Sequence, residues 1–121
     1  MIIANPFSLE GKTILVTGAS SGIGRGVAVA CSQMGAIVLI AGRNEQRLSE
    51  TREMMSGEGH QQLVCELTDV DAVSKIVAEL PSLDGVVHCA GIGPRIPAKQ
   101  LTENDVDKVM GVNLKAPVLL Y

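Results

Sequence analysis

Short, densely apolar runs alternate along the chain with longer stretches in which apolar residues recur at helical spacing. Residues 12–17 read as a first strand. Residues 22–34 follow as a helix, with Ile23, Val27, Ala30 and Cys31 on one face and Gly35 as its stop. Residues 36–41 are almost wholly apolar and predict a strand buried on both faces. Asn44 is placed to cap a charged helix that runs to about Met55. A polar loop, residues 56–60, leads to a third strand over residues 62–67. Thr68 and Asp71 stand at capping-box spacing for the next helix. Its inward face is expected to be Val70, Val73, Ile76, Val77 and Leu80, with Pro81 ending it. Residues 85–90 make a fourth strand. After a loop with two prolines, residues 91–101, Thr102 caps a last helix, with Asp105 three residues on and Val106, Val109 and Met110 along it.

Strand and helix thus alternate four times, which implies a parallel sheet covered on both faces. Right-handed crossovers put the strands in the order 3-2-1-4, an α/β doubly wound sheet of the Rossmann type. The fourth strand is as apolar as a central one, yet nothing that follows it in these residues covers its outer edge. A bare apolar edge invites pairing, so either another chain or further polypeptide is expected there.

The composition narrows the class. The chain has 121 residues, enough for one domain, and is 46% hydrophobic but only 2% aromatic, so its core must be aliphatic. The net charge is −3, with acidic and basic residues interspersed. No basic block points to nucleic acid, and no polybasic or long apolar segment points to a membrane. The first residues, Met1 to Pro6, lack the pattern of a secretory signal. Cys31, Cys65 and Cys89 are odd in number and widely spaced, which suits reduced thiols of a cytoplasmic protein and no metal site.

The chemistry concentrates at Thr17-Gly18-Ala19-Ser20-Ser21-Gly22-Ile23-Gly24, directly after the first strand. A strand that breaks into glycines and then opens a helix is a phosphate cradle. Gly18 can turn the chain sharply, Gly22 lets backbone N–H groups approach a pyrophosphate, and Gly24 lets the helix pack closely. The helix N-terminus adds unpaired N–H groups and the positive end of its dipole. About 20 positions on, a ribose-reading acidic residue would bind the 2′-hydroxyl of NAD. Gly42-Arg43-Asn44 stands there instead. Arg43 can pair a 2′-phosphate, which points to NADP(H) rather than NAD(H). The plainer alternative is a solvated surface arginine. Arg25 could equally face solvent.

These residues resemble the short-chain dehydrogenase/reductase family, from Leu9 to Leu120 and in the family's order. The glycine segment fits its Thr-Gly-x-x-x-Gly-x-Gly motif, and Gly11-Lys12 before the first strand is typical of it. The resemblance implies that Gly18, Ser20, Ser21, Gly22, Ile23 and Gly24 cradle the pyrophosphate. Some NADP-using relatives carry a base at the place of Ser21, so selectivity is expected to rest mainly on Arg43. Glu66 stands where the family commonly has Asp, and with Leu67 it is expected to border the adenine. Thr68 and Asp69 are assigned to helix capping. His88-Cys89-Ala90-Gly91 replaces the usual Asn-Asn-Ala-Gly. Ala90 and Gly91 are expected to border the ribose, His88 to be a hydrogen-bonded core histidine, and Cys89 a small strand residue. Asn113 matches the Asn of the family's catalytic tetrad, which holds a water of the proton relay and opens its helix by bonding to its backbone. A surface or capping Asn is the alternative.

The family's other catalytic groups are a Ser, a Tyr and a Lys four residues after that Tyr. The single tyrosine, Tyr121, comes too soon after Asn113 to be that Tyr. The remaining catalytic groups and the substrate region are therefore expected outside these residues. Residues 1–121 then read as the NAD(P)-binding N-terminal half of a longer domain. The implied activity is an NADP(H)-dependent oxidoreductase that reduces a small carbonyl compound, with 3-oxoacyl compounds as one candidate class, or oxidises the alcohol. The resemblance also implies a homo-oligomer. The competing expectation is a non-catalytic dinucleotide-binding sensor or interaction module.

Overall fold

The four apolar runs become strands β1 (Thr13–Thr17), β2 (Ile37–Gly42), β3 (Gln61–Val64) and β4 (Gly85–His88) of one parallel sheet, in the order β3-β2-β1-β4. The structure is a computed structural model that describes residues 5–93 and 95–120. Met1 to Ala4, Pro94 and Tyr121, on which part of the sequence reading fell, lie outside the described residues. The helices are α1 (Gly22–Gln33), α2 (Glu45–Met54), α3 (Val70–Glu79), α4 (Glu103–Met110) and α5 (Ala116–Leu120). A 3-10 turn spans Ala98–Gln100, and a π-helical segment, Gly111–Lys115, joins α4 to α5.

Alternation along the strands divides the core in two. Ile14, Val16, Val38 and Ile40 pack on one side with Ala28 of α1 and Leu48 of α2. Leu15, Leu39 and Ala41 pack on the other with Cys65, Val73 of α3 and Leu120 of α5. β2 is thus buried on both faces from Val38 to Gly42, with Ile37 exposed at its start.

Several local expectations need correction. β3 and β4 are shorter than their apolar runs. β1 ends opposite His88, so Cys89 and Ala90 have no ladder left to join, and β3 stops at Val64, opposite the last residue of β2. The buried stripe of α1 is Gly24, Ala28 and Ser32, with Val27 and Cys31 packed against the core as expected, while Ile23 and Ala30 are exposed. The small residues let the helix lie close to the sheet, and the bulky ones flank the contact. The cap of α3 is Asp69, whose carboxylate accepts from the N–H groups of Asp71 and Ala72, rather than a Thr68–Asp71 box. On α3 the inward residues are Val73, Ile76 and Leu80, and Val70 and Val77 are exposed. The Thr102–Asp105 capping box of α4 is complete. The Thr102 backbone and hydroxyl hold the Asp105 carboxyl below its ordinary 3.8.

His88 is not a core histidine. It is exposed at the end of β4, and the partial withdrawal of its ring from water lowers its pKa. The hydrogen-bonded core histidine is His60. Its Nδ1 accepts from the Val38 N–H at 3.0 Å and its Nε2 donates to the Ser56 carbonyl at 2.7 Å, a tautomer assigned from those partners.

Candidate functional site

The site begins where β1 runs out. Gly18 has φ +65, and a Cβ on it would fall 2.6 Å from the Ala90 nitrogen, so both conformation and space demand glycine. A Cβ on Gly24 would overlap the Gly18 carbonyl oxygen, which is how α1 comes so close to the end of β1. The neighbouring Ala90 N–H donates to the Thr17 hydroxyl at 3.2 Å. This ties the end of β4 to the start of the loop.

α1 opens at Gly22 with Ser21 as an extended N-cap whose side chain makes no capping bond, and its first turn has no acidic residue. The first N–H groups of the helix are therefore without an intrahelical or capping partner, and the positive end of the dipole is not offset.

These elements wall a cavity of about 340 Å³ at the carboxyl ends of the strands. The glycine loop contributes Gly18, Ser20, Ser21, Ile23 and Gly24. The end of β2 contributes Gly42, the β2–α2 connection Arg43, and the first turn of α2 adds Arg47. Cys65, Glu66 and Leu67 come from the segment after β3, and Cys89, Ala90, Gly91 and Ile92 from the segment after β4. Of the residues singled out in the sequence, Gly22 is not part of the wall. Asn113 stands behind it, against Gly91.

Arg43 reaches across the rim toward Glu66, with Nη1 to Oε2 at 3.8 Å and both side chains largely exposed. Glu66 also accepts from the Thr68 N–H at 3.3 Å through Oε1. Arg47 was missed in the sequence. Its N–H donates to Asn44 Oδ1 at 3.0 Å, so the capping spacing could have placed it one helical turn from Arg43. Arg25 does not face solvent. Its guanidinium turns to α2 and bonds the Thr51 hydroxyl at 2.9 Å and the Ser20 carbonyl at 2.7 Å.

Asn113 occupies the π-helical segment, so the helix is locally widened around it. Its amide, however, bonds the loop after β4 rather than its own helix. Oδ1 accepts from the Ile92 N–H at 2.9 Å and Nδ2 donates to the Ile92 carbonyl at 2.9 Å. One donor and one acceptor position of the amide remain. The three cysteines are free thiols. Burial pushes Cys31 and Cys65 up, with Cys89 adding to the first and Glu66 and Asp69 to the second. Among the described residues no helix is long and apolar enough to cross a membrane.

Comparison with known proteins agrees with this architecture. The family model described as short chain dehydrogenase matches residues 12–121. The 3-oxoacyl-[acyl-carrier-protein] reductase of Rickettsia felis is 36% identical over 112 residues, covering 93% of this chain and 46% of the relative. A solved structure from Sinorhizobium meliloti 1021, provisionally described as a short-chain alcohol dehydrogenase, superposes with a TM-score of 0.87 at 33% identity, over 94% of this chain and 48% of that one. Another, from Beutenbergia cavernae, is provisionally described as an NAD(P)-dependent gluconate 5-dehydrogenase with bound NADP at low occupancy. It matches with a TM-score of 0.84 at 34% identity, over 96% of this chain and 48% of that one. The chain thus spans about half the length of the relatives it matches.

Proposed function

The chain belongs to the short-chain dehydrogenase family, and from that premise we propose that it is the cofactor-binding part of an NADP(H)-dependent oxidoreductase. The observation that carries the cofactor choice is Arg43 on the cavity wall, where an acidic ribose reader would select NAD. Arg47 beside it adds a second cation.

The residues present fit such a dinucleotide. Gly18 lets the loop turn tightly against the Ala90 backbone, and the uncapped start of α1, with Gly22, Ile23 and Gly24, offers N–H groups to a pyrophosphate. The resemblance puts Ser20 and Ser21 in the pyrophosphate cradle; in this reading they stand with Arg43 on the 2′-phosphate side, since the Ser20 side chain lies against Gly42. Glu66 and Leu67 would border the adenine, and Ala90 and Gly91 the ribose. When bound, the dinucleotide supplies the carbon that gives a hydride to a carbonyl or takes one from an alcohol. Asn113 is the catalytic residue assigned here. Its bonds to Ile92 hold the loop after β4, and its spare amide positions can hold a water of a proton relay.

The substrate in this reading is a small carbonyl compound or its alcohol. The 3-oxoacyl class, implied by the family resemblance, is supported by the name of the Rickettsia felis relative. Because the relatives are about twice as long, the Ser, Tyr and Lys of the chemistry are assigned to sequence beyond residues 1–121, which serve as the NAD(P)-binding domain. A cytoplasmic protein suits the free thiols. A homo-oligomer suits Val106, Met110, Leu114 and Val118, all exposed and four residues apart along the last helices.

Titration of the full-length protein with NADPH and NADH tests the cofactor reading. Binding of NADPH tighter by about tenfold or more supports it. Equal binding of the two, or tighter NADH, overturns it.

A further inference from the structure

A network outside the cavity fixes which way the glycine loop faces. Thr51 lies on α2, fully buried, and its hydroxyl donates to the Ala19 carbonyl at 2.7 Å. Arg25, on the first turn of α1, donates from Nε to that same hydroxyl at 2.9 Å and from Nη2 to the Ser20 carbonyl at 2.7 Å. Further bonds from Nη2 to the Arg47 carbonyl at 3.2 Å and to Glu50 Oε2 at 3.3 Å hold the guanidinium on α2. Two successive loop carbonyls are therefore held on the side of α2.

In a planar trans peptide the C=O and the N–H point in opposite directions. Holding the Ala19 and Ser20 carbonyls toward α2 turns the N–H groups of Ser20 and Ser21 away from it. Among the described residues, neither N–H donates to a protein acceptor, and both residues line the cavity. The Ser20 side chain lies against Gly42, where an added Cβ would meet Ser20 Cβ at 3.4 Å, and Ser20, Ser21, Gly42 and Arg43 line the same cavity.

We propose that Arg25 and Thr51 are positioning residues that aim the backbone donors of Ser20 and Ser21 at the phosphate beside Arg43. This rests on the NADP(H) reading above and deepens it. The 2′-phosphate is met by two oriented N–H groups as well as by a cation, and the orientation is imposed from α2. A guanidinium is required because one planar group must reach a hydroxyl and carbonyls at once. An ammonium at that place cannot span them.

The test uses the full-length protein with Arg25→Lys, Thr51→Val and Thr51→Ser, and reads two quantities. The first needs no cofactor. The amide nitrogens of Ser20 and Ser21 belong to the peptide units whose carbonyls are held, so their NMR shifts report those bonds. Thr51→Val is expected to move Ser20, Arg25→Lys to move Ser21, and Thr51→Ser to restore the wild-type positions. The second is the ratio of NADPH to NADH affinity, expected to fall by about fivefold or more in Arg25→Lys and Thr51→Val and to return in Thr51→Ser. Should Thr51→Val fail to fold, Arg25→Lys carries both measurements. Unmoved amide shifts, or an unchanged affinity ratio with moved shifts, overturn the proposal. A wild-type protein that prefers NADH while the shifts still move overturns the NADP(H) assignment and leaves the orientation of the loop standing.

Discussion

Arg43 and Glu66 face each other across the mouth of the cavity, 3.8 Å apart, from the ends of adjacent strands. An acidic group thus stands beside the cation assigned to the 2′-phosphate. Both side chains are exposed, so their attraction is weak and screened. Removing the carboxylate frees Arg43 and deletes a negative charge near the incoming phosphate. Glu66→Gln is expected to raise the preference for NADPH over NADH by about two- to fivefold, the size of an exposed ion pair. The gain should shrink as salt is added. Paired titrations at low and high salt check it. A fall in the preference would mean that Glu66 aids the phosphate rather than competing with it.

Gly18 excludes a side chain both by conformation and by space. A Cβ there meets the Ala90 backbone while the residue holds a positive φ. Gly18→Ala is expected to lose dinucleotide binding by about 100-fold or more and to cost stability by about 2–3 kcal/mol. Calorimetry and urea unfolding read the two effects. Near-normal binding would show that the loop shifts aside at little cost.

Asn113 joins the widened helix to the loop after β4 through two bonds to Ile92. Asn113→Ala removes both. In the full-length protein, turnover is expected to fall by about 100-fold or more, while cofactor affinity drops by less than about fivefold. Steady-state kinetics beside direct binding separates these. Parallel losses in both would reduce Asn113 to a support for the cavity wall.

His60 supplies a buried acceptor to the sheet. Its Nδ1 takes the Val38 N–H, and the residue is 8% exposed. His60→Ala leaves that N–H without its partner and opens a void, for an expected loss of about 2–3 kcal/mol. His88→Ala, on the exposed end of β4, is expected to cost less than about 0.5 kcal/mol. Chemical unfolding of both variants decides which histidine holds the core. Equal losses would contradict the assignment.

The parts of the fold written as continuous apolar runs were legible, because a doubly covered parallel strand has no polar face to hide it. The order of β1 to β4 followed from connection rules alone. The face of α1 was legible at Val27 and Cys31 but misread at Ile23 and Ala30, because bulk and burial part company there. Gly24, Ala28 and Ser32 make the contact because they are small, while the exposed Ile23 carries the larger side chain. His88 was misread because a histidine in an apolar strand looks buried, and the role of His60 was hidden because it lies in a polar loop whose partner, Val38, is brought to it only by the fold. The acceptor of the Asn113 amide was not legible, since Ile92 is brought to it only by the fold. Neither was the direction of Arg25, for its partners Thr51 and Glu50 lie on another helix. The places of the glycine loop and Arg43 at the cavity were legible, because they follow directly from the ends of β1 and β2.

The central claim is that Arg43 reads a phosphate that NADP(H) has and NAD(H) lacks. The most direct test is titration of Arg43→Ala, in the full-length protein, with NADPH and with NADH. Affinity for NADPH is expected to fall by about 30-fold or more and that for NADH by less than about threefold, as for loss of a charge-assisted pair made by one ligand only. Equal losses for the two, or none for either, would contradict the account.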